Sequence, residues 1–303
     1  MKARFDIVRR RKWFFLFSGA ITVAGLIVFL ISGFNLGTDF KAGALVQMPL
    51  NEPVNVSKVE SMFAKAGLPI TASEVSVAGA GNTIAMVRLP MMLTPAQVAK
   101  INQIEKETFP KSQQSSIQSV DPIVAKQTSQ KAVWSVLLAS LFIVIYVAIR
   151  FEYRFAISGI VALLHDAFIV MSVFALLRLQ VDLTFVAAIL TIVGYSINDT
   201  IVIFDRIREN LKLTKPKTFD DLQHLVDKSL WQTMSRSINT VFTVLIAALM
   251  LYFFGGQTIH NFTFALIVGL VSGAYSSIFI ASPLWVAWRG RQMRRAKPAD
   301  KSA

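Results

Sequence analysis

An aspartate stands in the run Gly194-Tyr195-Ser196-Ile197-Asn198-Asp199-Thr200, inside an apolar stretch long enough to cross a bilayer. A carboxylate in hydrocarbon is costly, so an ionisable residue at such a place marks a functional site. Helical spacing puts Tyr195, Asn198 and Asp199 on one face. That polar stripe needs a polar partner or water. The expected partner is Arg236, in Ser235-Arg236-Ser237-Ile238-Asn239-Thr240 at the start of the next apolar stretch. Counted from the flanking basic segments, Asp199 lies about five residues deep and Arg236 about three. At ~1.5 Å per residue the two depths match within a few ångströms. A salt bridge would hold Asp199 ionised, and loosening it would let the carboxylate take a proton. This is the make-up of a proton or ion relay. The competing account is a static ion pair between spans, with Arg236 snorkelling to the interface.

Asp166, beside His165 in the middle of another apolar stretch, is either a second relay member or a satisfied packing residue. Asp205, Arg206, Arg208 and Glu209 read as a solvated interfacial cluster, and Gly269, Ser272, Gly273, Ser276 and Ser277 as a close-packing face. His165, His224 and His260 lie far apart, without the spacing of metal ligands. There is no phosphate-binding loop and no Gly-x-Ser-x-Gly elbow. Cysteine is absent. No metal, cofactor or enzymatic reaction is expected.

The elements that must position these residues are membrane helices. Hydrophobic residues make up 54% of the 303 positions and charged ones 16%, against about a quarter charged in a soluble domain. Six runs reach the roughly 20 residues that a crossing needs: 13–31, 132–149, 155–177, 183–204, 233–254 and 262–288. The first run is longer than a signal-peptide core, so it reads as an uncleaved span. The net charge of +13 flanks these runs rather than interleaving with aromatics along a groove, so a membrane rather than a nucleic acid is the partner it implies. Six Lys and Arg precede the first span and six follow the last. More lie in the loops around Arg150 and Lys215, while Arg178 is the lone basic residue in the two short loops of the other side. Both termini are therefore expected in the cytoplasm.

Between the first two spans lies an insertion with a pattern of its own. Strands are expected at 45–48, 74–78, 83–89 and 116–120, with a turn at Gly79-Ala80-Gly81-Asn82. Helices are expected at 56–66, from the spacing of Val56, Val59, Met62 and Phe63, and from Thr94-Pro95 to about Phe109. The order β-α-β-β-α-β is the ferredoxin-like split unit. The fold class is thus an α-helical integral membrane protein of six transmembrane helices with an inserted α+β ferredoxin-like extracytoplasmic domain. Its divisions are 1–34 (cytoplasmic N-terminus and first span), 35–131 (extracytoplasmic domain), 132–288 (spans two to six) and 289–303 (basic cytoplasmic tail).

The run from Gly194 through Asp205-Arg206-Ile207-Arg208-Glu209-Asn210 resembles the signature of the SecF branch of the SecD/SecF family. Ser229-Leu230-Trp231-Gln232 through Thr240, Phe254-Gly255-Gly256, Tyr275-Ser276-Ser277 and His165-Asp166 resemble that family as well. Gly37-Thr38-Asp39-Phe40-Lys41-Ala42-Gly43 departs from the family's Gly-Ile-Asp-Phe-Thr-Gly-Gly, and Val120-Asp121-Pro122 from its Val-Gly-Pro. The resemblance implies an accessory subunit of the Sec protein-export translocon in the bacterial cytoplasmic membrane. That subunit works with SecD, and the two are related to halves of the resistance-nodulation-division exporters. It implies a proton or sodium gradient as driving force and Asp199 and Arg236 as the ion site. It also implies a SecD-like subunit, the translocon channel, a translocating unfolded polypeptide and membrane lipid as partners. A small-molecule or lipid exporter half and a non-transporting scaffold are the alternatives.

The topology is testable because the chain has no native cysteine. A cysteine at Ser73 is expected to react with an impermeant thiol reagent added outside intact cells, and one at Thr214 is not. The reverse labelling pattern contradicts the six-span arrangement.

Overall fold

A computed structural model describes residues 6–79 and 81–295. Ala80 of the expected turn and residues 296–303 of the basic tail lie outside the described residues. By its contacts the chain divides into two units, one formed by Leu36–Ser135 and the other by the segments before and after it.

Helix α1 (Arg11–Ser32) is apolar on all sides and most of its surface is exposed, as a lipid-facing span requires. The chain then enters the inserted unit as β1 (Gly43–Pro49), α2 (Val56–Lys65), β2 (Val75–Ala78), β3 (Ile84–Leu89), α3 (Pro95–Thr108) and β4 (Ser116–Val120). The sheet order is β2-β3-β1-β4, and every pairing is antiparallel, which is the ferredoxin-like topology expected. Local chemistry sets the helix starts. Asn55 accepts the Lys58 amide ahead of α2. Thr94 and Gln97 form a capping box around Pro95 at the start of α3. Val46, Met48, Val59, Met62, Phe63, Val87 and Ile101 are fully buried and form the core between sheet and helices. Gly43 has φ +134°, and a Cβ there would overlap the Leu89 carbonyl oxygen, so the close β1–β3 approach requires glycine.

Helix α4 (Pro122–Arg150) begins in the inserted unit and passes at Val136 into the other, which continues through α5 (Tyr153–Leu176), α6 (Leu183–Leu213), α7 (Phe219–Phe254), α8 (His260–Ser276), a π-helical turn at Ser277–Ala281, and α9 (Ser282–Arg295). Together with α1 these supply six segments long and apolar enough to cross a membrane. The most apolar windows of α5, α6 and the last segment are 44%, 44% and 61% buried, against 11% for α1, α4 and α7. The first three therefore form the centre of the bundle. Four segments differ from expectation, the first being α6, which runs on to Leu213 rather than 204. Helix α4 starts at Pro122 rather than 132, because Asp121 caps it by accepting the Ile123 amide. Helix α7 starts at Phe219 rather than 233, where Thr218 and Asp221 form a capping box. The last span is one path but not one α-helix. Pro283 lacks the amide that would bond Phe279, and the chain widens into the π turn just before it. Before α1, the Val8 amide donates to Asp227 Oδ1 at 3.0 Å, which fixes the entry to the first helix against α7.

One buried carboxylate in the inserted unit sets a pH dependence. Glu105 on α3 is 2% exposed, and Ser115 Oγ donates to its Oε2. Burial pushes the Glu105 carboxyl up, against the smaller downward pull of Ser115, Ser112 and Lys106. The ionised form is thus penalised in the fold. The penalty is absent at pH below the ordinary carboxylate range, about 4, where both states are protonated. It grows as pH rises through that range and is complete above the raised folded value. Glu105→Gln is therefore expected to raise the urea midpoint of this unit at pH 7 and to bring no gain at pH 4, as read by methyl NMR on the full chain. An equal effect at both pH values contradicts this.

Candidate functional site

Two aspartates of the bundle have opposite surroundings. Asp166 on α5 has no exposed surface. Ser196 Oγ on α6 donates to its Oδ2 at 2.5 Å, and Ser276 Oγ on α8 to the same atom at 2.6 Å. Ser272 Oγ on α8 donates to Oδ1 at 2.7 Å. His165 Nδ1 lies 3.1 Å from Oδ1 and donates to it when that nitrogen carries the proton. Four donors fill the roughly four lone-pair sites of a carboxylate. The serines reach it because α6 and α8 meet through small residues: a Cβ added at Gly273 would stand 3.2 Å from Ser196 Cβ, and one at Gly269 would overlap Ile192. On its other side the His165 ring stacks on Tyr275 at 6.2 Å, and Tyr275 Oη donates to the Phe14 carbonyl at 3.1 Å. Asp166 thus ties α5, α6 and α8 together, and its neighbour His165 extends the contact toward α1.

Asp199 lies one turn beyond Ser196 on α6 and is 9% exposed. Its Oδ2 is buried and has no hydrogen-bond partner among the described residues. A cavity of about 20 Å³ beside it is lined by Tyr195, Asn198, Asp199, Thr240, Gly273 and Ser196, about the space one water needs. Tyr195, Asn198 and Asp199 therefore share one cavity, as their spacing predicts. From α7 the Ser237 hydroxyl faces Asp199 without closing a hydrogen bond, and the Arg236 charge acts on it from farther off. The expected salt bridge is not formed: among the described residues no ion pair within 4.0 Å joins Asp199 and Arg236. Arg236 is exposed, and it is Thr240, one turn further along α7, that lines the Asp199 cavity together with residues of α8.

Close to both aspartates, Thr200 and Ser277 hydroxyls meet at 2.8 Å, which ties the residue after Asp199 to the π turn. Sequence spacing missed this hydroxyl network because Ser272, Ser276 and Ser277 also fit a packing face. The i, i+4 pair Ser272 and Ser276 opposite a mid-span aspartate was the available signal. The interfacial cluster is as expected, with Arg150 and Asp205 paired at 3.0 Å and Arg206 and Glu209 at 2.6 Å. His224 pairs with exposed Asp220 at 3.5 Å, and His260 stacks on Tyr252. Among the described residues no group of three or more metal-ligating side chains comes together.

The family model described as "Protein export membrane protein SecD/SecF, C-terminal" matches residues 100–291. The chain is 64% identical to protein translocase subunit SecF of Alicyclobacillus acidocaldarius, covering 100% of this chain and 99% of that one. It is 45% identical to protein translocase subunit SecDF of Bacillus subtilis over 96% of its own length but 39% of that protein. The crystal structure of SecDF, a translocon-associated membrane protein from Thermus thermophilus, superposes with a TM-score of 0.85 at 32% identity, again over 96% of this chain and 39% of that one.

Saturation of one aspartate and exposure of the other to a cavity separate them by experiment. Asp166→Ala strips three interhelical hydroxyls of their acceptor, at roughly 0.6 kcal/mol each in a membrane bundle. It is expected to destabilise the bundle by about 2 kcal/mol. Asp199→Asn is expected to change stability by about 0.5 kcal/mol or less. Thermal unfolding in mild detergent checks both; equal losses contradict the assignment.

Proposed function

The chain belongs to the SecD/SecF family of protein export membrane proteins, and from that membership we propose that it is an accessory subunit of Sec-dependent export in which Asp199 binds and releases the driving ion. The observation that carries this reading is the contrast between the two aspartates. Asp166 has its acceptor sites filled by three serine hydroxyls and faced by His165 Nδ1. Asp199 has a buried, unpartnered oxygen beside a water-sized cavity. A carboxylate so placed is poorly served as an anion and gains by taking a proton from a water in that cavity. Arg236 acts here as a cation at a distance rather than as a bonded partner. Its field favours the ionised state and so favours release. A direct pair would hold Asp199 charged and slow its exchange. Tyr195 and Asn198 line the path by which water reaches the carboxylate. Asp166 serves as the fixed knot that holds α5, α6 and α8 in register.

A SecD-like subunit is the proposed partner. The chain spans 39% of the SecDF relatives, and the proposed partner resembles the portion of those proteins that it does not match. Exposed Arg236 and Asn239 on α7 support this, since lipid offers those groups no hydrogen bonds and a protein surface does. The translocon channel, an unfolded polypeptide in transit and surrounding lipid complete the proposed assembly. Its place is the bacterial cytoplasmic membrane, with both termini inside. The protein is a transport component rather than an enzyme.

The test is export into membrane vesicles at matched protein levels, with the proton and sodium gradients collapsed separately. Asp199→Asn is expected to reduce export to the level seen without any gradient. Arg236→Met is expected to retain part of the stimulation, because loading remains and release slows. Full gradient-dependent export by Asp199→Asn contradicts the relay.

A further inference from the structure

The inserted unit carries a second polar site, at the corner where α3 leads into β4. Glu105 Oε1 is buried without a hydrogen-bond partner among the described residues, and so is Asn102 Oδ1 one turn earlier on α3. Both line a pocket of about 210 Å³ together with Lys106, Ser112, Gln113 and Ser115. Two buried acceptors without donors are costly, and the cost is recovered when a guest supplies N–H groups. Lys106 is exposed at the rim and forms no ion pair with Glu105 within 4.0 Å among the described residues.

The same corner begins an open strand. β4 pairs with β1 on one side and ends the sheet on the other. Its residues Ser116-Ile117-Gln118-Ser119-Val120 include no charge and no proline, the devices that commonly keep an edge strand from pairing with other chains. Register sets the pocket end apart from the links to the spans. Ser116 stands opposite Gln47, whereas Val120 stands opposite Gly43, where the chain arrives from α1 and leaves for α4.

We propose that the β4 edge takes up an unfolded polypeptide as an added strand, and that a basic or amide side chain of that polypeptide donates to Glu105 Oε1 and Asn102 Oδ1. The inference rests on the reading above that unfolded polypeptide is what the assembly moves. Strand addition suits that cargo, because main-chain hydrogen bonds hold any extended sequence and a single pocket adds a preference without demanding a motif. Raising of the Glu105 carboxyl by burial is consistent with an acceptor left short of donors.

The test uses the full chain with its SecD-like partner in nanodiscs and a labelled ten-residue peptide of alternating Thr and Val with one central Arg. Two control peptides carry Leu for Arg or N-methyl groups on alternate amides. The Arg peptide is expected to bind about tenfold more tightly than the Leu peptide, the worth of one charge-assisted hydrogen bond. Glu105→Gln is expected to reduce that preference severalfold, and backbone methylation to abolish binding. Indifference to both peptide changes overturns the proposal. A photoreactive residue at Gln118 tests the same edge in a chain that keeps Glu105. Adducts to an arrested export substrate support the proposal, and adducts confined to the partner subunit overturn it. Loss of the peptide effects with gradient-dependent export intact would sink this inference and leave the export reading standing. Peptide binding without any dependence of export on the chain would do the opposite.

Discussion

A charged carboxylate cannot rest inside hydrocarbon unless donors surround it, and Asp166 is surrounded. Three serine hydroxyls from two other helices and a histidine nitrogen converge on its two oxygens. That demand explains features otherwise unrelated. Small residues at 269 and 273 let α6 and α8 approach closely enough for the serines to reach. The π turn at Ser277–Ala281 begins directly after Ser276, and Ser277 carries the network on to Thr200. The centre of the bundle is a polar knot held within apolar helices, and such a knot fixes helix register more sharply than lipid-like side chains can.

Against that fixed point, Asp199 is the exception that suggests motion. It shares a helix with Ser196, but its Oδ2 has no hydrogen-bond partner among the described residues, and Arg236 on α7 forms no ion pair with it within 4.0 Å among those residues. In a low-dielectric site a carboxylate with four donors is satisfied as it stands, whereas one with an unpartnered oxygen is left short of donors. Protonation at Asp199 would be felt at once by Thr200 and Ser277, where the last span departs from regular α geometry and has least to lose by shifting. The proposed transport role thus rests on two aspartates one helix apart with opposite satisfaction, and not on the presence of membrane carboxylates alone.

Much of this was legible in the sequence. Apolar runs gave six spans, and the strand and helix pattern of the insertion gave the ferredoxin-like order, with β4 at the same residues expected. Asn55, Thr94 and Pro95 announced their helices through local hydrogen bonding, which spacing reveals. Three things were not legible. Capping residues extended α4 and α7 into polar segments that a hydropathy window discards. The Asp199–Arg236 contact failed because matched depth does not fix the distance between two side chains on neighbouring helices. The serine cage around Asp166 was hidden because serine serves both as a small packing residue and as a donor, and only the opposing helix decides which.

The central claim is that Asp199, rather than the hydroxyl-bound Asp166, is the carboxyl that takes up and releases the ion. Infrared difference spectroscopy on the reconstituted complex, stepping the pH across neutrality, reads this directly through the C=O stretch of a protonated carboxyl. The account predicts a carboxyl band that appears on acidification, disappears in Asp199→Asn and persists in Asp166→Asn. A band that survives Asp199→Asn and vanishes in Asp166→Asn would contradict it.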